Sequence, residues 1–511
     1  MSLRLKSGSA QDDISFENLF CLRHPLSLTK LDADSRLSES SMATNPPVQV
    51  EKSESAHSHL VRGLGLWAAI AIVIGDTIGT GVFLVSSDMA RAVGSSGLVL
   101  VAWILGGLVV LLGAFCYAEL GAAFPSAGGP YVYLGRGLGP LWGFLFGWMS
   151  SFLDRPVAMA GLGAGFIRFM GFFFPAVDTP LFRGRIWHEE FTFTAAQPLA
   201  AFVVVMVTGI NYFSVKMSGA IQVLLTSLKI GTIVVIAFGG LLLGHQAIAA
   251  VPHATPVGWG IIRALLTALV PAMWAFNGFN DLGDLGEEIR RPEKNIPRAI
   301  LLGLLIVGGL YLAVNIAYFH VLPFAEVARS PHVASDVVRG FAGGRGAAWL
   351  TLAMAISAFG ALHVVVLTGA RIPYAMARDG VFFQFAERVH PSFRTPSGAL
   401  LFLGAVATVL ALTGTFEELY SLFVFAVWIF FALTGIALLR LRRVEPNLAR
   451  PYRAWGYPLT PLIFVLVAIA LTVNLWMVRP VRSTLGLAVI LLGIPFFYRW
   501  RKARGAGAIT L

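Results

Sequence analysis

The sequence predicts an all-α membrane protein of about twelve transmembrane helices, and three observations lead there. Of the 511 residues, 57% are hydrophobic and 13% charged, with a mean hydropathy of +0.75, whereas soluble domains carry about 25% charged residues. Apolar runs of about 20 residues, the length that spans a bilayer, follow one another with short polar connectors. Two of these runs are broken at their centres, at Gly75-Asp76-Thr77-Ile78-Gly79-Thr80-Gly81 and at Ala275-Phe276-Asn277-Gly278-Phe279-Asn280-Asp281. Helix-breaking sequence at membrane depth is tolerated only where the freed N–H and C=O groups are buried in protein or line a cavity. The breaks are therefore the expected binding site, one near the start of each half of the hydrophobic region.

Residues 1–62 form a tail rich in Ser, Asp, Glu and His that contains Asn45-Pro46-Pro47. It cannot bury enough apolar surface to offset ordering entropy, so it is expected to be disordered. It lacks the uninterrupted apolar core of ~7–15 residues that a signal peptide needs. Met42, followed by a short polar leader, is an alternative start. Spans are expected at 64–91, 97–123, 139–174, 196–213 and 218–244, then at 262–286, 299–322, 347–376, 397–414 and 419–440, and finally at 457–478 and 483–500. This divides the chain into a first repeat at 63–243, a second at 244–440, two added helices within 441–500 and a C-terminal tail at 501–511. Basic residues crowd alternate connectors, for example Arg290, Arg291, Lys294 and Arg298 after the sixth span and Arg440, Arg442, Arg443, Arg450 and Arg453 after the tenth. The positive-inside rule then places both termini in the cytoplasm, with the chain in the plasma (inner) membrane. It also accounts for the net charge of +11 without a nucleic-acid partner. The interrupted first and sixth spans cross in opposite directions, as an inverted 5+5 repeat requires.

Gly79-Thr80-Gly81 lets backbone N–H groups approach a ligand closely, and the half-helix resuming near Val82 points its positive dipole end at the break, which suits a carboxylate. The competing reading is close helix packing through small residues. In the second break, the carbonyls around Asn277-Gly278 and the flanking Trp274 ring suit an ammonium group and a cover for the site. Lys229, alone in the middle of an apolar helix, costs ~2.5–3.5 kcal/mol on insertion scales and so points to a function. Asp154-Arg155-Pro156 reads as a kinked helix start with a local polar pairing. Asp281, Asp284, Glu287 and Glu288 are expected to pair with Arg290, Arg291 or basic loops, as a gate or a structural network. Cys21 and Cys116 are the two cysteines, too few for a disulfide framework or a thiolate metal site. Gly128-Gly129-Pro130 lacks the ending of a phosphate-binding loop, and neither metal-ligand spacing nor a nucleophile elbow occurs. No cofactor, metal or enzymatic activity is expected.

Ile74 to Phe83, Cys116-Tyr117-Ala118-Glu119-Leu120-Gly121 and Ser126-Ala127-Gly128-Gly129-Pro130-Tyr131 resemble the first two helices and following loop of the amino acid/polyamine/organocation superfamily. Arg155-Pro156, Asn211 to Lys216 and Glu287 to Arg298 narrow the likeness to the L-type amino acid transporter branch and its bacterial relatives. The resemblance implies that N–H groups around Thr80 and Gly81, within the stretch Thr77, Ile78, Gly79, Thr80 and Gly81, bind a substrate carboxylate. It implies that carbonyls near Thr77, Trp274 and Asn277, within Trp274, Ala275, Phe276, Asn277 and Gly278, receive its amino group, and that Trp274 is an aromatic gate. Lys229 matches a lysine that takes the place of a sodium ion and links helices one, five and eight. Asp76, Asn277 and His363 depart from the family pattern. Asp76 is read as a partner of Lys229, a partner of a cationic substrate group, a proton carrier or a backbone cap. His363 is read as a packing residue or, if it faces the site, a pH sensor.

What these readings imply is a secondary amino acid transporter, an exchanger or proton-coupled permease, that moves mainly neutral L-amino acids. A cationic amino acid or polyamine carrier and a non-transporting sensor are the alternatives. Residues 174–180 lack the cysteine by which animal L-type transporters attach to a glycoprotein subunit, so the amino acid substrate and the lipid bilayer are the expected partners.

Overall fold

A computed structural model describes residues 64–504 apart from 126–127, 187–188, 214–218, 245–257 and 394. The readings made for the tail at 1–62, for Ser126-Ala127 and for Lys216 fall outside the described residues, as does the tail read at 501–511 from residue 505 on, its first four residues continuing α18. The helices in chain order are α1 Leu66–Thr77, α2 Gly81–Leu84, α3 Ser86–Val93, α4 Ser96–Ala123, α5 Gly129–Leu138, α6 Pro140–Met149, α7 Arg155–Gly171, α8 Ala196–Phe213 and α9 Gly219–Leu243. They continue with α10 Trp259–Ala275, α11 Pro292–Val321, α12 Phe324–Arg329, α13 Val333–Gly369, α14 Arg371–Arg378, α15 Ser397–Thr413, α16 Phe416–Val444, α17 Leu459–Val478 and α18 Pro480–Arg504. Among the described residues, eight helical runs are long and apolar enough to cross a bilayer, and Ser227–Leu243, Trp259–Ala275 and Ser397–Thr413 are shorter apolar helices.

Where boundaries differ from expectation, local chemistry explains the shift. The span expected at 139–174 is divided, because Pro156 lacks an N–H and its ring clashes with the carbonyl one turn earlier. A π-helical turn at Ser150–Asp154 absorbs the clash and joins α6 to α7, so Arg155, the first residue of α7, stands inside one continuous helical run and not at a free helix end. The helix expected at 299–322 begins at Pro292, the favoured first position, directly after Arg291 in the left-handed region (φ 48°). The run expected at 347–376 starts at Val333, turns at Gly343 (φ 70°) and continues past Gly369 into α14. Thr415 and Glu418 form a reciprocal capping box that starts α16. The connector before α8 folds as an antiparallel hairpin of β1 Pro180–Ile186 and β2 Glu189–Thr194, with Phe182 opposite Phe193 and Arg183 opposite Thr192.

Helices of the first half pack on their counterparts in the second: α4 on α11, α7 on α13, and α8 on α15. The broken segments sit inside this frame, with α1 against α11 and α10 against α3 and α4. A buried carboxylate pins α4 to α16 and to the loop that follows it. Glu119, 1% exposed, accepts from Arg442 Nε at 2.8 Å, Arg442 Nη2 at 2.5 Å and the Ala454 backbone N–H at 2.6 Å. Arg450 Nε lies 3.4 Å from the oxygen that accepts from Arg442 Nε. Removing one partner of a buried ion pair costs about 3–5 kcal/mol, because the other charge is left uncompensated. Glu119→Gln should accordingly lower the thermal midpoint of the detergent-purified protein by several degrees; an unchanged melting curve would remove this cluster from the stabilising frame.

Candidate functional site

The first helix stops because Ile78 leaves helical geometry. Its N–H still reaches the Ile74 carbonyl (2.9 Å), while the Gly79 N–H turns back to the Thr77 carbonyl (3.0 Å). A new helix starts at Gly81, so the N–H groups just ahead of and within its first turn have no carbonyl a full turn before them. In the sixth span, α10 ends at Ala275, the Asn277 N–H bonds the Trp274 carbonyl at 3.3 Å, and Gly278 takes φ +109°. The chain then resumes as a 3-10 helix at Asp281–Glu288. Both breaks fall where the sequence places them.

The two breaks interlock. A Cβ on Gly81 would lie 2.6 Å from the Ala275 Cα, and a Cβ on Gly278 would lie 2.8 Å from the carbonyl carbon and oxygen of Asp76. Each break therefore contributes one glycine to let the other's backbone in. The Tyr311 hydroxyl closes the joint, lying 2.9 Å from the Thr77 carbonyl and 3.0 Å from the Ala275 carbonyl, either of which can take its one proton. Tyr311 belongs to a stripe on α11 that holds the first span throughout. One turn on, Asn315 accepts from the Ser86 hydroxyl at 2.7 Å, and Tyr318 donates to the Val82 carbonyl at 3.1 Å. Positions i, i+4 and i+7 share a helix face, so one helix supplies all three ties.

Beside the joint lies a cavity of about 520 Å³. Gly75 to Thr77 and Gly79 to Gly81 line it from the first span, and Trp274, Asn277 and Gly278 from the sixth. Gly79 faces open space, since nothing stands within 4 Å of where its Cβ would be. The hydroxyls of Thr77 and Thr80 are buried without a hydrogen-bond partner. Lys229, 6% exposed, donates to the Gly75 carbonyl at 3.3 Å, tying α9 to the last turn of α1. Its ammonium also lines the cavity.

Several sequence readings change here. Gly81, read as the point of ligand approach, lines the cavity but its side-chain position is filled by Ala275, whereas the side-chain position of Gly79 is open. The Thr77 carbonyl, read as a receiver of a substrate amino group, already accepts from the Gly79 N–H and lies beside the Tyr311 hydroxyl. Ile78, Ala275 and Phe276 are buried away from the cavity, Phe276 edge-on to Trp103 at 5.7 Å. Asp76 is exposed into the cavity and makes no ion pair with Lys229 among the described residues. His363, 5% exposed, does not line the cavity: its Nδ1 accepts from the Asn211 amide at 3.0 Å, between α13 and α8. Asp281 and Asp284, expected to meet Arg290, Arg291 or loop residues, meet Arg155 instead, with Nη1 3.2 Å from Asp281 and Nη2 3.8 Å from Asp284. Asp154, at 3.5 Å from Nε, is the local partner that the sequence suggested.

The cavity is closed at one end and open at the other. At the closed end the Trp274 ring stands edge-on to Phe423 (4.9 Å) and Phe416 (6.2 Å). Beyond it, Arg168 pairs with Glu417 at 2.5 Å while its guanidinium covers the Phe416 ring at 5.6 Å, and Tyr420 donates to Asp88 at 2.8 Å. Sequence reasoning missed this seal, because Arg168 on α7 and Asp88 on α3 lie far in sequence from Glu417 and Tyr420 on α16, and nothing in their spacing connects them. At the open end the lining runs past Arg155, Asp281 and Asp284 to Glu288, Arg371 and Asp379. The walls carry six carboxylates, Asp76, Asp154, Asp281, Asp284, Glu288 and Asp379, against three cations, Arg155, Lys229 and Arg371.

A cavity at the meeting point of two broken spanning helices, with buried unpartnered hydroxyls and one sealed end, is built to hold a small polar ligand and release it toward one side. Known proteins agree. The sequence pattern of the family described as amino acid permease matches residues 64–496. The chain is 30% identical over 406 residues to the b(0,+)-type amino acid transporter 1 of Oryctolagus cuniculus, covering 79% of this chain and 81% of that protein. It is 30% identical over 454 residues to the serine/threonine exchanger SteT of Bacillus subtilis, covering 88% and 98%, respectively. To the Asc-type amino acid transporter 1 of Mus musculus it is 30% identical over 458 residues, covering 87% and 82%. The match spans both broken helices and the frame around them, and the chain belongs to the amino acid permease family as a multi-pass membrane transporter of amino acids.

Proposed function

We propose that this transporter binds the backbone of an L-amino acid between the two breaks and moves it by alternating access, and that the structure represents the state open toward the cytoplasm. The observation that carries the proposal is the cavity itself, roofed by Trp274 at a sealed end and continuous with a charged vestibule at the other. The substrate carboxylate meets the N–H groups at Gly79-Thr80-Gly81 and the free Thr80 hydroxyl. The amino group meets the Asn277 carbonyl and the Asp76 carboxylate, since the Thr77 carbonyl accepts from the Gly79 N–H and the Tyr311 hydroxyl lies against both it and the Ala275 carbonyl. Packing of α4, α7 and α8 on α11, α13 and α15 supports the division into two inverted five-helix repeats, with α17 and α18 added to complete twelve spans. The concentration of Arg and Lys on the connectors at the open face supports cytoplasmic termini and residence in the plasma (inner) membrane.

Neutral amino acids are the leading substrates on the likeness to the serine/threonine exchanger SteT. The excess of carboxylates on the cavity walls favours a second reading, in which a cationic amino acid or polyamine is carried. The Lys229 ammonium stands between α9 and α1, donating to the Gly75 carbonyl, which supports exchange or proton coupling over sodium coupling. The chain acts without covalent chemistry, cofactor or disulfide-linked glycoprotein subunit in this reading.

In proteoliposomes, labelled serine or alanine uptake should be accelerated by internal amino acid and should not require sodium; stronger competition by arginine than by alanine would select the cationic reading, and binding without counterflow would select a sensor. Gly79→Val should abolish uptake while leaving the purified protein monodisperse, because its side chain enters open space. Gly81→Val should instead lower thermal stability, because its side chain meets Ala275. The reverse pattern would overturn the assignment of roles to the two glycines. Lys229→Ala removes a charged, buried hydrogen bond and should slow uptake about tenfold or more with the fold retained, as read by initial rates against size-exclusion profiles.

A further inference from the structure

A second cavity lies on the outside of the helix bundle, near where the chain leaves α14 and where α18 ends. It is a groove of about 710 Å³ lined by Phe382, Phe383, Phe385, Phe496 and Trp500, with Gln384 and Pro495 between them and Arg388 and Arg499 at its edge. The rings form one continuous surface: Phe383 faces Phe385 at 5.9 Å, Phe496 at 5.7 Å and Trp500 at 5.5 Å. Trp148 anchors it from behind, stacked on Phe496 at 5.0 Å with its indole N–H donated to the Val489 carbonyl at 2.8 Å.

Its place in the membrane follows from the chain. Pro480–Lys502 is a spanning run, so Arg499 and Trp500 lie at its end, where aromatic residues and cations meet the headgroup layer. Phe382 follows closely on Asp379, which lines the mouth of the transport cavity, so groove and mouth share a face of the protein. Both guanidinium groups are exposed, and neither makes an ion pair among the described residues. Glu387, also exposed, is the nearest acid in sequence. An apolar aromatic floor at acyl-chain depth with two unpaired guanidinium groups at headgroup depth matches an amphipathic ligand with an anionic head, because guanidinium binds phosphate oxygens with directed hydrogen bonds.

We propose that this groove binds an anionic phospholipid of the surrounding leaflet, with its phosphate held by Arg388 and Arg499 and an acyl chain laid over Phe383, Phe385 and Phe496. The site is separate from the transport cavity and does not depend on the substrate reading. Basic pockets beside spanning helices draw anionic headgroups by charge, and here the aromatic floor adds a fixed seat for the chain.

The test is native mass spectrometry of the full chain released from detergent containing equal amounts of phosphatidylglycerol and phosphatidylcholine. The wild type should retain one phosphatidylglycerol in preference to phosphatidylcholine. The Arg388→Gln/Arg499→Gln double variant should lose that adduct about tenfold, whereas Arg501→Gln/Lys502→Gln, which removes the same charge from exposed positions outside the groove, should keep it. Phe383→Ala should weaken the adduct with both arginines present. Equal retention of the two lipids, or equal loss from both charge-removing pairs, would overturn the proposal and leave general attraction to a basic surface. Melting curves of each variant in lipid-free detergent identify any that fails to fold, and the Phe383 and arginine variants test the groove through different parts of the ligand.

Discussion

Everything at the centre of this protein depends on two strands of irregular backbone being pressed together without side chains between them. Gly81 against Ala275, and Gly278 against Asp76, are contacts that a single methyl group would occupy. Broken backbone in a membrane is costly unless each freed group finds a partner, and the interlock solves part of that problem by burying one break against the other. Tyr311 solves another part by offering its hydroxyl to a carbonyl from each, and Lys229 reaches the Gly75 carbonyl in the last turn of α1. What remains unsatisfied, the N–H groups at the restart of the first helix and the hydroxyls of Thr77 and Thr80, is gathered on one side of the joint. That unmet hydrogen bonding lines the cavity.

The charges are arranged around this joint in two tiers of different character. At the sealed end, Arg168, Glu417, Asp88 and Tyr420 are few, paired and covered by Phe416, so separating them means rehydrating each group. At the open end, Arg155 is shared by Asp154, Asp281 and Asp284 at distances of 3.2–3.8 Å. A shared cation with long contacts is held by charge more than by directed hydrogen bonds, and it can exchange partners at smaller cost. A protein that must open one end while closing the other benefits from that difference. The frame outside it is fixed by stronger ties, of which Glu119 with Arg442 and Arg450 is the most buried.

Much of the fold was legible because the bilayer imposes a length and a composition that the chain cannot evade. The spans at 97–123, 196–213, 218–244 and 397–414 match the observed helices to within a residue or two. Boundaries drifted where helices run beyond the apolar layer, as at Pro292 and Val333, because polar turns outside it leave no hydropathic mark. Arg155 was undervalued for a related reason: Pro156 suggests a helix start, and only the π-helical turn before it lets the helix pass through. The hairpin at 180–194 was read as a plain connector, since short strands outside the membrane carry little weight beside the long apolar runs.

The sequence by itself determined that the chain spans a membrane and where its two helices break, and it singled out Lys229 and Trp274, which line the cavity. These are local properties, written in runs of apolar residues and in glycine, aspartate and asparagine placed where a helix should continue. The tertiary structure alone decided which glycine packs against Ala275 and which opens on the cavity, that Tyr311 joins the breaks, that His363 turns to Asn211, and that Arg168 meets Glu417. Each of these depends on which helix lies opposite. The pattern of one helix records that a face is buried but not what it is buried against, and that information exists only once distant segments are brought together.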